Sequence, residues 1–153
     1  MKKTYRIINE PNVITWEKVE KLYHYLCIYE CVFARMNKQS ELEQKYPQMT
    51  EAKSKLEAFT CNECNRESLQ VVGLAPMDNL VSMTNTKGAK FFSFLYHLRN
   101  SIAHGQIEKE GDFVYLTDFT FTNGVKVFSA RGKIEFSILF KIISFINQNV
   151  QLS

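Results

Sequence analysis

The chain lacks any run of ~18 uncharged apolar residues, so nothing in it reads as a membrane span. Its opening residues, Met1-Lys2-Lys3-Thr4-Tyr5-Arg6, do not lead into the apolar stretch of a secretory signal. The expected setting is therefore the cytoplasm, where Cys27, Cys31, Cys61 and Cys64 stay reduced rather than pairing as disulfides. A strong charge excess is missing too. The net charge of +3 and the isoelectric point near 8.6 neither establish nor exclude a polyanionic partner. Internal repeats, low-complexity tracts and linkers are also absent. At 153 residues, 45% hydrophobic and 23% charged, the chain has the size and composition of one globular domain spanning 1–153.

What is present is an aromatic-rich chain, with 12 Phe and 7 Tyr, whose periodicity changes part-way along. From Val13 to about Asn37, apolar residues from Trp16 to Met36 recur at three- and four-residue steps. This predicts a long helix with Asn12 as its N-cap. Ser40 to Tyr46 reads as a charged helical turn broken by Pro47, and Thr50 caps a second segment, Glu51 to Phe59. Between Thr60 and Thr86 the pattern is poor: Cys61 to Asn65 is turn-like, while Ser68–Val72 and Met77–Met83 read as short helices. Lys87 to Ala103 predicts an aromatic helix stopped by Gly105, a natural left-handed C-terminal cap. The period then becomes two. Phe113–Phe121 and Val125–Phe128 flank Thr122-Asn123-Gly124, and Asn-Gly between β-formers is a strong hairpin signal. The final helix, from Ile134 to Ile146, is apolar nearly all round and must be buried against the domain or a second copy.

The candidate site lies at the end of the aromatic helix. At 100° per residue, Lys90, Ser93, His97, Asn100, Ser101 and His104 form one polar stripe, either a solvated face or a site. Arg99 falls on the opposite arc with Phe91, Phe92, Leu95, Leu98 and Ile102, where a guanidinium needs a partner. Residues five apart are about 140° apart on an ideal helix, so Arg99 and His104 are not simply neighbours. Bringing them together requires that the helix loosen near Ala103 to Gly105, that the Arg side chain bend round, or that two protomers contribute. An Arg can grip phosphate through a two-pronged fork, and a His exchanges protons near neutrality. Together they could cleave RNA without a metal.

The stretch Arg99-Asn100-Ser101-Ile102-Ala103-His104 resembles the Arg-x(4–6)-His motif of HEPN domains, in the form where Asn follows the Arg. It is most similar to small stand-alone prokaryotic HEPN proteins, in which Leu-Arg-Asn-x-x-x-His-Gly precedes a short hairpin and a last helix. The resemblance implies a mainly α fold, a HEPN-like helical bundle with a β-hairpin before the C-terminal helix. It also implies a homodimer whose two motifs share a cleft and cut RNA with no cofactor. His104 would then be the base that deprotonates a ribose 2′-hydroxyl. Arg99 would stabilise the phosphorane charge, and Asn100 would orient the phosphate or His104. His97, Ser101, Lys126 and Arg131 are the candidate RNA contacts. Such proteins act as toxins or antiphage effectors, restrained by an antitoxin or inhibitor protein. In HEPN toxins paired with a nucleotidyltransferase, the motif continues to His-x-Tyr. Here that position is Gln106, which speaks against control through a tyrosine there, although Tyr96 and Tyr115 are near in sequence.

Competing readings stand beside these. Arg99 could bond helix-end carbonyls, Asn100 could cap a neighbouring segment, and His104 could merely terminate a helix whose dipole favours a cation. That would make the chain a non-catalytic HEPN module that binds RNA or protein. His97 is either an RNA contact or a buried, hydrogen-bonded structural group, and His24 is structural or surface. Cys61-x-x-Cys64 has zinc-knuckle spacing, and Cys27 with Cys31 could complete a Cys₄ set, but free thiols are the preferred reading.

Overall fold

A computed structural model describes residues 13–59, 61–70 and 79–152. Helix α1 (Trp16–Cys31) starts after Thr15, and the predicted cap Asn12 lies outside the described residues. The helix is shorter than its periodicity suggests. Val32 departs to φ −121°, ψ −64°, and a 3₁₀ turn at Phe33–Arg35 carries Phe33 back into the core beneath Tyr29. Helices α2 (Gln39–Lys45) and α3 (Met49–Phe59) follow on either side of Pro47. Next come β1 (Cys61–Glu63), the single turn α4 (Arg66–Leu69), capped by the Asn65 side chain, and β2 (Leu80–Met83). Helix α5 (Lys90–Ala103) leads into β3 (Ile107–Glu110), β4 (Phe113–Thr122), β5 (Val125–Glu135) and α6 (Phe136–Asn149).

The expected mainly α fold is not what forms. The five strands make one mixed sheet in the order β1-β2-β5-β4-β3, with only β1 and β2 parallel, so the architecture is mixed α/β. Three local readings failed. Leu80–Met83, within the expected helix 77–83, instead alternates between half-buried and buried and pairs with Ala130–Lys133. Cys61–Glu63, whose composition is turn-like, is instead a strand in register with Val81–Met83. Strand β5 runs to Glu135, taking Ile134 out of the final helix. Gly132 obscured that continuation, because glycine weakens a strand; here it is required. A Cβ at Gly132 would stand 2.5 Å from the Val81 Cα, so β2 and β5 approach closely only because it has none.

The predicted hairpin is present. Thr122 pairs with Val125 across Asn123 and Gly124, both at positive φ (52° and 77°), as a type I′ turn requires. Helix α6 buries Leu139, Phe140, Ile142, Ile143 and Ile146 within the chain, each contributing roughly 1.5–3 kcal/mol of transfer free energy. It packs beside α1, where Asn147 donates to the Lys21 carbonyl. Its exposed positions, Ser137, Lys141 and Gln148, are polar. Among the described residues no helix is long and apolar enough to cross a membrane.

Candidate active site

Helix α5 is seated by an aromatic and aliphatic surface, Phe91, Phe92, Phe94, Leu95 and Leu98, all essentially inaccessible. The middle of its polar stripe is neither solvated nor open. Ser93, His97, Asn100 and Ser101 are at most 8% exposed, and the stripe bonds chiefly to the sheet and the loop after β2. Asp118, on the inward face of β4 and 3% exposed, is the anchor. Its Oδ2 lies 2.8 Å from His97 Nδ1 and accepts from Asn100 Nδ2 at 3.0 Å. The other ring nitrogen of His97 lies 2.9 Å from the Thr84 carbonyl. The Ser101 hydroxyl sits 2.7 Å from the Thr117 carbonyl and 2.9 Å from that of His97.

These contacts define a proton inventory. Burial pushes the Asp118 carboxyl up, but hydrogen bonds from His97 and Asn100 outweigh it and hold the group below its ordinary value, as a carboxylate. Both His97 nitrogens then face acceptors. The ring is thereby held at both ends, between the Asp118 carboxylate on β4 and the Thr84 carbonyl after β2. A β-bulge marks the same place: pairing shifts after Asp118, leaving Ser129 as the extra residue of β5. The Ser129 hydroxyl donates to the Asp118 carbonyl, and its own carbonyl accepts from the Thr84 N–H.

Arg99 solves its burial problem by bending round. Its Nε donates to Glu30 Oε1 on α1 at 2.6 Å, and its Nη1 donates to Asn100 Oδ1 at 2.8 Å. One line of polar contacts therefore runs Glu30–Arg99–Asn100–Asp118–His97–Thr84. The guanidinium emerges beside Tyr25 and Tyr29. Burial pushes the Tyr29 hydroxyl up to about 12, with Tyr96 adding to the shift and Arg99 opposing it. Burial likewise raises Tyr25, whose hydroxyl donates to the Leu95 carbonyl.

His104 is the C-cap of α5, with φ −96° and ψ 6°. Gly105 follows at φ 66°; its N–H bonds the Ile102 carbonyl and that of Gln106 bonds Ser101, the paired closure of a Schellman motif. The helix thus ends just before His104 and lifts that residue into solvent. Among the described residues its ring has no hydrogen-bond partner, and the Arg99 guanidinium bonds to Glu30 and Asn100 instead. Lys126 and Arg131 lie elsewhere, on β5 over the rings of Phe119 and Phe128. His97 and Ser101, fully engaged inside, present no surface to a ligand; they position α5.

Asp118, Glu30 and the Thr84 carbonyl escaped the sequence reading. Asp118 was within reach of it, since Val114, Leu116 and Asp118 share the buried parity of β4, and a carboxylate there demands partners. Cys27 and Cys31 are exposed on α1, Cys61 is buried and Cys64 is half-buried beside it, its thiol raised by burial. Among the described residues no group of three or more His, Cys, Asp or Glu side chains is placed to hold a metal.

The sequence matches the family model HEPN pEK499 p136 over residues 2–151. The chain belongs to this HEPN family. No curated protein and no solved structure matches it. In this HEPN chain, Gln106 spends its side chain on the backbone: its Oε1 accepts from the Phe119 N–H at 3.0 Å, and its Nε2 faces the Phe119 carbonyl. The turn carrying His104 is thereby fastened to β4.

Proposed function

We propose that the protein is a metal-independent endoribonuclease of the HEPN type, acting as a homodimer in the setting of a toxin or antiphage effector. His104 takes the proton of a ribose 2′-hydroxyl, and the freed oxygen attacks the adjacent phosphorus. The bond from phosphorus to the 5′-oxygen breaks, that oxygen is protonated by the imidazolium of a second copy or by water, and a 2′,3′-cyclic phosphate remains. Arg99 stabilises the charge on the phosphorane, and Asn100 holds the guanidinium in its bent position. Proton transfer of this kind is typically worth ~10²–10⁴-fold, and charge stabilisation in a partly dry cleft adds comparably.

The observation that carries this reading is the division of labour at the end of α5. Arg99 is oriented by a buried network, while His104, five residues on, is released to solvent by the Gly105 cap. The test is cleavage of RNA in EDTA, read by the chemistry of the new ends. Wild type yields cyclic phosphates, whereas His104→Ala and Arg99→Ala fall by about a hundredfold or more with folding intact. Cleavage by both variants at the wild-type rate overturns the proposal. One contact favours a second reading, a non-catalytic RNA- or protein-binding HEPN module: Glu30 already occupies the Arg99 guanidinium. RNA binding without cyclic-phosphate product selects that reading.

A further inference from the structure

The β4–β5 hairpin outgrows the sheet. Beyond the bulge, strands β3 and β2 no longer flank it, and two glutamines close its edges. Gln106 takes the backbone of Phe119 on one side. On the other, Gln70 accepts from the Phe128 N–H at 2.8 Å and donates to its carbonyl at 2.7 Å. Residues 120–126 are exposed.

The outer face of this arm is aromatic and cationic. Phe119 pairs across with Phe128 and Phe121 with Lys126, which places all four side chains on one face. Phe119 meets Phe121 and Phe128 edge to face, with centroids 5.8 and 5.7 Å apart. Lys126 Nζ stands 4.2 Å over Phe119, and the Arg131 guanidinium 4.3 Å over Phe128, fixed by a bond to the Leu69 carbonyl. Phe121 is 66% exposed. From residue 119 to 134 the sequence carries Lys126, Arg131 and Lys133 and no carboxylate.

We propose that this face binds single-stranded RNA. Rings and an Arg plane offer stacking surfaces to unpaired bases, which a duplex keeps inside its own stack, and the cations complement phosphates. The arm is also connected to the candidate site, because Gln106, two residues after His104, is bonded to Phe119 at its base. This inference rests on the ribonuclease reading for the identity of the strand.

The experiment measures anisotropy of a labelled oligouridylate with the His104→Ala protein, in which binding is read without turnover. Adding Phe121→Ala is expected to weaken binding about fivefold or more. Adding Lys126→Gln does the same and lowers the slope of log affinity against log salt by about 0.7. Both substitutions are on exposed side chains and leave the melting temperature in place, and Lys141→Gln on α6 leaves binding unchanged. Unchanged affinity in both hairpin variants overturns the proposal. So does equal, hairpin-dependent binding of duplex RNA, or binding of phosphatidylserine vesicles in place of RNA. The two proposals fail separately. Wild type that binds through the hairpin but never cuts keeps the docking face and removes the nuclease; cutting that ignores Phe121 and Lys126 does the reverse.

Discussion

Asn100 divides one amide between two charges, accepting from the Arg99 guanidinium and donating to the Asp118 carboxylate. Neither task is visible from its place in the motif. An Asn100→Ala chain loses both bonds and leaves a buried carboxylate short of a donor; we expect a loss of about 1–3 kcal/mol in denaturant unfolding, with weakened cleavage as Arg99 loosens. Removing Asp118 is worse. Asp118→Ala takes the acceptor from Asn100 and a partner from His97 inside the core, about 1–3 kcal/mol for each of the two buried groups. The acid limb carries the same signature. Because the folded carboxyl is held below its unfolded value of ~3.9, its stabilisation is complete above that value and disappears as the pH falls through the lower folded one. Thermal melts below about pH 4 should therefore drop more steeply in wild type than in Asp118→Asn. At the surface the sign reverses: if Arg99 holds the phosphate as proposed, Glu30 competes for it, and an exposed pair is worth at most ~1 kcal/mol. Glu30→Gln should thus tighten RNA binding by up to about fivefold in a titration. Arg99, Asn100 and His104 were legible as candidates because they lie within six residues of chain. Asp118 and Glu30 were not, because strand pairing and helix packing bring them in from 18 and 69 residues away.

Among the elements, the long periodic ones could be read and the short ones could not. Helix α5, its glycine stop and the Asn-Gly hairpin each carry a local cause, an apolar stripe or a positive φ. Strands of three and four residues carry too little pattern to outvote helix formers such as Met and Leu, so β1, β2 and β3 are products of pairing. Gly132 shows how pairing rewrites propensity. Gly132→Ala should lower stability by about 1–3 kcal/mol, measured by urea unfolding, since the added methyl meets the backbone of Val81, which has no side chain to turn aside. An Ala substitution that left the midpoint unmoved would mean that β2 and β5 separate at little cost.

For the whole molecule, the sheet changes what holds the helices. An all-helical bundle would fix α5 by helix–helix packing alone. Here one side of α5 packs into apolar core and the polar side is bonded to β4 and to the loop after β2, so the motif is seated against strands. The proposed dimer makes a prediction at this scale. If one cleft draws on two copies, mixing inactive Arg99→Ala and His104→Ala proteins should restore partial cleavage, because a mixed pair retains one intact guanidinium and one intact imidazole. Mixtures as silent as their components would exclude a shared cleft.

The two glutamines beside the hairpin carry a last consequence. A protruding two-stranded ribbon ordinarily offers its rims to any passing strand, the first step toward fibrous self-association. Gln70 and Gln106 act as stoppers, filling one rung on each rim with their own amides. Replacing both by alanine would unplug the ribbon, and the resulting protein should turn adhesive in concentrated solution while each molecule is still folded.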